Sequence, residues 1–131
     1  MEEWIRWQPF EKMSGKFYVD TLMMLEEGLI IKLSKGEQKI EIVFDGYVDA
    51  YRYTNDSFSF KIPSDLAKKY GIDFYGDCSF FKVTNSEYLA WLLEQSCTWS
   101  GRFPFMHFCI VGGDEVVDVL AQYEPIVKFI E

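Results

Sequence analysis

Hydrophobic and polar positions alternate with a period of two through much of the first half of the chain. Leu29, Ile31 and Leu33 oppose Ile30, Lys32 and Ser34, and Ile40, Ile42 and Phe44 oppose Lys39, Glu41 and Val43. Alternation of this kind marks strands that bury one face. Phe17 to Leu25 precedes them as a β-like run ending at Glu26-Glu27-Gly28. Tyr47, Asp49, Tyr51 and Tyr53 then oppose Val48, Ala50 and Arg52, and Phe58, Phe60 and Ile62 oppose Ser57, Ser59 and Lys61. Gly, Asn and Asp turns separate the runs at Lys35-Gly36, Asp45-Gly46 and Asn55-Asp56, so residues 17–62 read as an antiparallel meander.

The pattern changes on either side. In residues 1–16, Trp4, Trp7 and Phe10 stand at helical spacing but Pro9 interrupts them, which predicts a short aromatic plug over one end of the sheet. In residues 63–96 the chain turns to helix, strand, helix. Pro63 to Gly71 reads as a short helix with Ser64 as N-cap, Asp65 in the first turn, Lys68-Lys69 in the last and Gly71 closing it. Cys78 to Val83 reads as a strand. Thr84-Asn85-Ser86-Glu87 fits a capping box that opens the main helix, residues 86–96, with Leu89, Leu92 and Leu93 on one face.

Residues 104–131 revert to strands: Met106 to Val111, a Gly112-Gly113-Asp114 turn, Val116 to Gln122, and Val127 to Ile130 after Pro125. The β-branched content of Val116–Val119 favours strand over helix there. The fold class is therefore α+β. A curved, largely antiparallel sheet, as a meander or partly closed barrel, carries one main and one short helix within a single domain of residues 1–131.

Composition narrows the function. The chain carries 21 Asp and Glu against 13 Lys and Arg, a net charge of −8, and 18% of its residues are aromatic. Such a surface repels phosphate backbones and anionic membranes and suits a basic partner. The densest basic stretch is Lys68-Lys69, so no direct nucleic-acid contact is expected. No apolar run is long enough to span a bilayer, and the acidic Met1-Glu2-Glu3-Trp4 start is unlike a secretory leader. Cys78, Cys97 and Cys109 are odd in number and widely spaced, which fits reduced thiols in a cytoplasmic protein.

Catalytic signatures are absent. No phosphate loop or calcium loop is present, and zinc needs closely spaced ligands that His107, the single histidine, cannot supply alone, so no metal or cofactor is expected. His107 and Cys109 share a face of the Met106–Val111 run, the right separation for a thiol–imidazole contact, and read more simply as a hydrogen-bonded structural pair. Asp45 with Asp49, and Asp114 with Glu115 and Asp118, are acidic clusters that solubility alone explains. The tyrosine row is the most suggestive feature. Tyrosine offers large contact area with few torsions to freeze, as at many interfaces, although it also covers half-exposed sheet faces. Asp49, Tyr51, Tyr53, Glu94 and Trp99 are the expected partner-binding residues, with none expected to be catalytic.

Three stretches carry a resemblance: Ile42-Val43-Phe44-Asp45-Gly46-Tyr47-Val48-Asp49-Ala50-Tyr51-Arg52, then Phe81-Lys82-Val83-Thr84-Asn85-Ser86-Glu87-Tyr88-Leu89-Ala90-Trp91-Leu92, and His107-Phe108 leading through Asp118-Val119-Leu120 to Tyr123-Glu124-Pro125. They resemble small cytosolic proteins of Gram-positive bacteria, several of them encoded beside secreted polymorphic toxins and similar to immunity proteins. The likeness spans most of residues 29–131. It implies a non-enzymatic protein that binds a cognate toxin domain, basic and nuclease-type, one to one. The alternatives are a structural or regulatory interaction module of bacterial or phage origin, and a small-ligand binder or enzyme with a site inside the curved sheet. The sequence carries no signal for an oligomeric state.

Overall fold

The computed structural model describes residues 2–55, 61–96 and 104–130. Nine strands run through them: β1 (Glu3–Arg6), β2 (Tyr18–Leu25), β3 (Gly28–Lys35), β4 (Gln38–Phe44), β5 (Ala50–Asn55), β6 (Phe80–Thr84), β7 (Met106–Val111), β8 (Glu115–Ala121) and β9 (Ile126–Ile130). Helices α1 (Lys61–Tyr70) and α2 (Ile72–Gly76) separate β5 from β6, and α3 (Glu87–Ser96) separates β6 from β7. All pairings between strands are antiparallel, and the class is α+β.

The strands form two sheets, of order β2-β3-β4-β9 and β1-β6-β7-β8-β5. The first holds the meander that the alternation predicts. Leu29, Ile31 and Leu33 stand opposite Phe44, Ile42 and Ile40, and all six are fully buried. Each such side chain contributes roughly 1.5–3 kcal/mol through the area it removes from water. The two sheets pack face to face through aromatic rings, with Phe44 against Phe108 at 5.5 Å and Phe17 against Phe80 at 5.3 Å between centroids.

The meander ends earlier than the sequence predicts. Asp45-Gly46 does not turn a hairpin; the chain crosses to the other sheet, where β5 pairs with β8, and β9 takes the place beside β4. The crossing is held by buried Val48, by the Gly46 N–H donating to the Tyr123 hydroxyl at 2.9 Å, and by the Asp49 N–H donating to Leu120 O at 3.0 Å. Tyr47 therefore lies outside the strand that carries Tyr51 and Tyr53. The expected strand at 57–62 lies largely outside the described residues, and α1 already includes Lys61 and Ile62.

The N-terminal lead-in begins as a strand and includes one short 3-10 turn, Glu11–Met13. β1 joins the edge of the five-stranded sheet beside β6, and the Trp7 N–H donates to Phe80 O at 2.8 Å. Trp4 packs edge-on to Phe81 on one face, while Trp7 packs against Phe80 and Phe108 on the other. A two-residue period thus underlies what looks like a three-residue one. The helices form a third layer on the outer face of this sheet: Tyr70 of α1 accepts from the Trp4 N–H, Phe74 of α2 lies on Phe81, and Tyr88 of α3 meets His107 edge-on.

Candidate functional site

One cross-strand row organises the helix-covered face. Arg6, Phe81, Cys109, Asp118 and Arg52 are successive partners from β1 through β6, β7 and β8 to β5. His107 lies two residues from Cys109 on the same face of β7. Asp118 is the one charged side chain in the apolar run Val116–Ala121, and it is 2% exposed. A buried carboxylate needs partners or it destabilises the fold.

It has them. The His107 Nε2–H donates to Asp118 Oδ1 at 2.7 Å, and the Arg52 Nε–H donates to Asp118 Oδ2 at 2.8 Å. On the far side of the imidazole, Nδ1 lies 2.6 Å from Ser86 Oγ, which itself accepts from the Leu89 N–H at 3.0 Å. The Nε2–H tautomer satisfies every bond in this chain, with Ser86 donating to Nδ1. Among the described residues, no buried side-chain nitrogen or oxygen lacks a partner. The relay thus runs from the N-terminus of α3 through Ser86, His107 and Asp118 to Arg52, which is about half exposed at the surface.

The electrostatics follow. Burial alone raises the Asp118 pKa, but the hydrogen bonds from His107 and Arg52, together with the Arg52 charge, outweigh it and hold the carboxyl below its ordinary value. Burial and the adjacent Asp118 carboxylate push the Cys109 thiol well above its usual range, so it stays protonated. His107, Cys109 and Asp118 bring their donor atoms within 4.8 Å of one another. Those atoms already satisfy one another and Arg52, and an ion would have to displace the thiol proton. Ser86, His107 and Asp118 also have the composition of a nucleophilic triad. Ser86 is 5% exposed, however, and its oxygen caps a helix, so the arrangement ties α3 to the sheet.

Above the relay lies a cleft of about 370 Å³, reaching His107, Asp118 and Arg52 and walled by Trp4, Tyr88 and Trp91. Glu2, Asp65 and Glu87 line its mouth, and the same three carboxylates with Trp4 line an adjoining cleft of about 400 Å³ that extends along α1 to Lys68, Lys69 and Tyr70. Together they form one acidic, aromatic groove between α1 and α3.

The residues expected to bind a partner are distributed over the molecule. Tyr51 and Tyr53 share a face of edge strand β5 and are 39% and 50% exposed. Asp49 precedes that strand, half-buried, and its carboxylate accepts from the Gln122 side-chain amide at 3.2 and 3.3 Å. Glu94 is exposed on α3, in the layer over the opposite face of the sheet. Trp99 lies outside the described residues. The structure therefore brings Tyr51 and Tyr53 together with Asp49 nearby in sequence, and sets Glu94 apart from them. Arg52, Ser86, Tyr88 and Asp118 were not singled out as binding residues. The one available signal was the lone acid of an apolar strand, because the row that joins it to Arg52 and Cys109 depends on register. Comparison with protein families, curated proteins and solved structures finds no match to this chain.

Proposed function

We propose that this chain is a non-enzymatic, cytoplasmic binding protein of the immunity type, which neutralises a basic, nuclease-type toxin domain by one-to-one occupation of its surface. The observation that carries this reading is the pair Tyr51 and Tyr53, exposed side by side on an edge strand of a molecule with net charge −8. Exposed tyrosines supply contact area at low entropic cost, and surplus negative charge steers a basic partner into encounter. In the complex, carboxylates engage Lys and Arg of the toxin and the aromatics form the dry centre.

The test is affinity capture of the tagged protein from its source strain, washed at low and high salt, with bound proteins identified by mass spectrometry. A single stoichiometric basic protein, lost in high salt, is the expected result. Its absence at low salt, with the partner gene expressed, would overturn the reading. Alanine at Asp49, Tyr51, Tyr53, Glu94 and Trp99 in turn then maps the contact. A second reading, a small-ligand binder, is favoured by one feature, the cleft that reaches His107 and Asp118. It lies under the helices rather than inside a curved sheet, and a saturating small metabolite in place of a protein would support it.

A further inference from the structure

Within the groove between α1 and α3, one cation is already seated. The Arg52 guanidinium lies 4.0 Å from the Tyr88 ring centroid and pairs with Asp118, and Trp91 stacks against Tyr88 at 5.9 Å with an interplanar angle of 18°. The protein thus uses an aromatic face and a carboxylate on its own guanidinium, an arrangement that stabilises a cation by quadrupole attraction as well as by charge.

The mouth of the cleft over the relay repeats the aromatic and carboxylate elements, while Lys68 and Lys69 line the adjoining cleft along α1. Trp91 is 52% exposed and Trp4 lines the same cleft as the relay, while Glu2 precedes β1, Asp65 lies on α1 and Glu87 opens α3. Glu2 accepts the Glu87 N–H at 2.8 Å, and neither Asp65 nor Glu87 forms an ion pair among the described residues. In the cleft over the relay Arg52 offsets Asp118, and across the whole groove the four carboxylates Glu2, Asp65, Glu87 and Asp118 outnumber the three cations Arg52, Lys68 and Lys69. The volume of the cleft over the relay, about 370 Å³, falls in the range of small-group binding sites, roughly 300–1,000 Å³.

We infer that the groove between α1 and α3 receives an arginine or lysine side chain of a protein partner, its cationic head against Glu2, Asp65 and Glu87 and its stem against Trp4 and Trp91. The occupant follows from charge complementarity and rests on the reading that the partner is basic. It adds a contact at the helices, on the opposite face of the sheet from Tyr51 and Tyr53.

The experiment needs no partner. The full chain, ¹⁵N-labelled, is titrated with acetyl-Arg-Gly-Arg-Gly-Arg amide, with its citrulline counterpart, and with spermidine, while the tryptophan indole N–H signals are followed by NMR. The arginine peptide is expected to shift Trp4 and Trp91 saturably and to leave Trp7 unmoved, since the Trp7 indole is bonded to Glu124 on the other face. Citrulline, uncharged but of the same shape, is expected to produce no shift. The Asp65→Asn/Glu87→Gln double variant should weaken binding at least fivefold, and Trp91→Ala, at an exposed position, provides an independent loss. Unmoved Trp4 and Trp91 signals, or shifts unchanged in both variants, overturn the inference. So does spermidine binding at least tenfold more tightly than the peptide, which would make the groove a polyamine site. Peptide binding with no basic protein captured would sink the proposed function and leave the groove assignment standing; the reverse result would do the opposite.

Discussion

Asp118 commits both carboxylate oxygens inside the sheet, one to His107 and the other to Arg52. The two ends of this ion pair differ in burial, since the carboxylate is enclosed and the guanidinium is half exposed. Removing the enclosed charge strands its partners, whereas removing the exposed one lets water compensate. Asp118→Asn should therefore lower stability by about 3 kcal/mol and Arg52→Gln by about 1 kcal/mol, read from urea midpoints; equal costs would refute the asymmetry. The folded-state pKa of Asp118 lies below its unfolded value, so its contribution is complete above the ordinary carboxylate range and is lost as pH falls through the folded value. Lys16 works in the opposite direction. Its ammonium donates to Cys78 O and Val111 O at 2.9 Å, yet burial pushes its pKa down to about 8. Because the unfolded chain holds that proton more tightly, stability attributable to Lys16 rises as pH climbs from about 8 toward 10.5. Urea denaturation of wild type and Lys16→Met at pH 7.5 and 9.5 should show wild type gaining on the variant at the higher pH.

The start of α3 shows how element boundaries are decided. Thr84-Asn85-Ser86-Glu87 matches a capping box, but Thr84 belongs to β6, where it pairs with Glu3 and its hydroxyl donates to Glu3 O. Asn85 then turns the chain at φ 52°, and Ser86 takes the cap. Ser86→Ala should cost about 2–3 kcal/mol, the cap plus the orphaned His107 nitrogen, and Thr84→Ala about 0.5 kcal/mol or less, measured by chemical denaturation. A larger loss at Thr84 would return the cap to it. The local motif was legible and displaced by two residues, because the ladder beside β1 extended the strand into it. Elsewhere local pattern sufficed. The alternations of β3 and β4 gave their buried faces, Met106–Val111 gave β7 within its observed bounds, and Gly71, at φ 93°, ends α1 as its position implies. The failures lie where a non-local partner overrode the local signal, as with β1, expected to plug one end of the sheet and found paired along its edge with β6.

At the scale of the molecule, the α+β class was legible, but the division into two sheets was not. It depends on β9 reaching β4 and β8 reaching β5, and neither pairing leaves a mark in the local alternation. The candidate groove was hidden for the same reason, since Glu2, Asp65, Glu87 and Trp91 come together only once β1, α1 and α3 occupy one face. Net charge, by contrast, needs no fold to be read. For a basic partner it predicts an association rate that falls by about tenfold or more between low and high salt while dissociation changes less, measurable by stopped flow. Those distant pairings carry a further consequence, for the speed of folding. Glu3 meets Thr84, Lys39 meets Ile130 and Asn55 meets Glu115, so most of the chain must be brought into loops before either sheet gains its closing strand. Topologies of this kind fold in milliseconds to seconds rather than microseconds, with the β2–β3–β4 meander, whose contacts are local, as the segment able to form first.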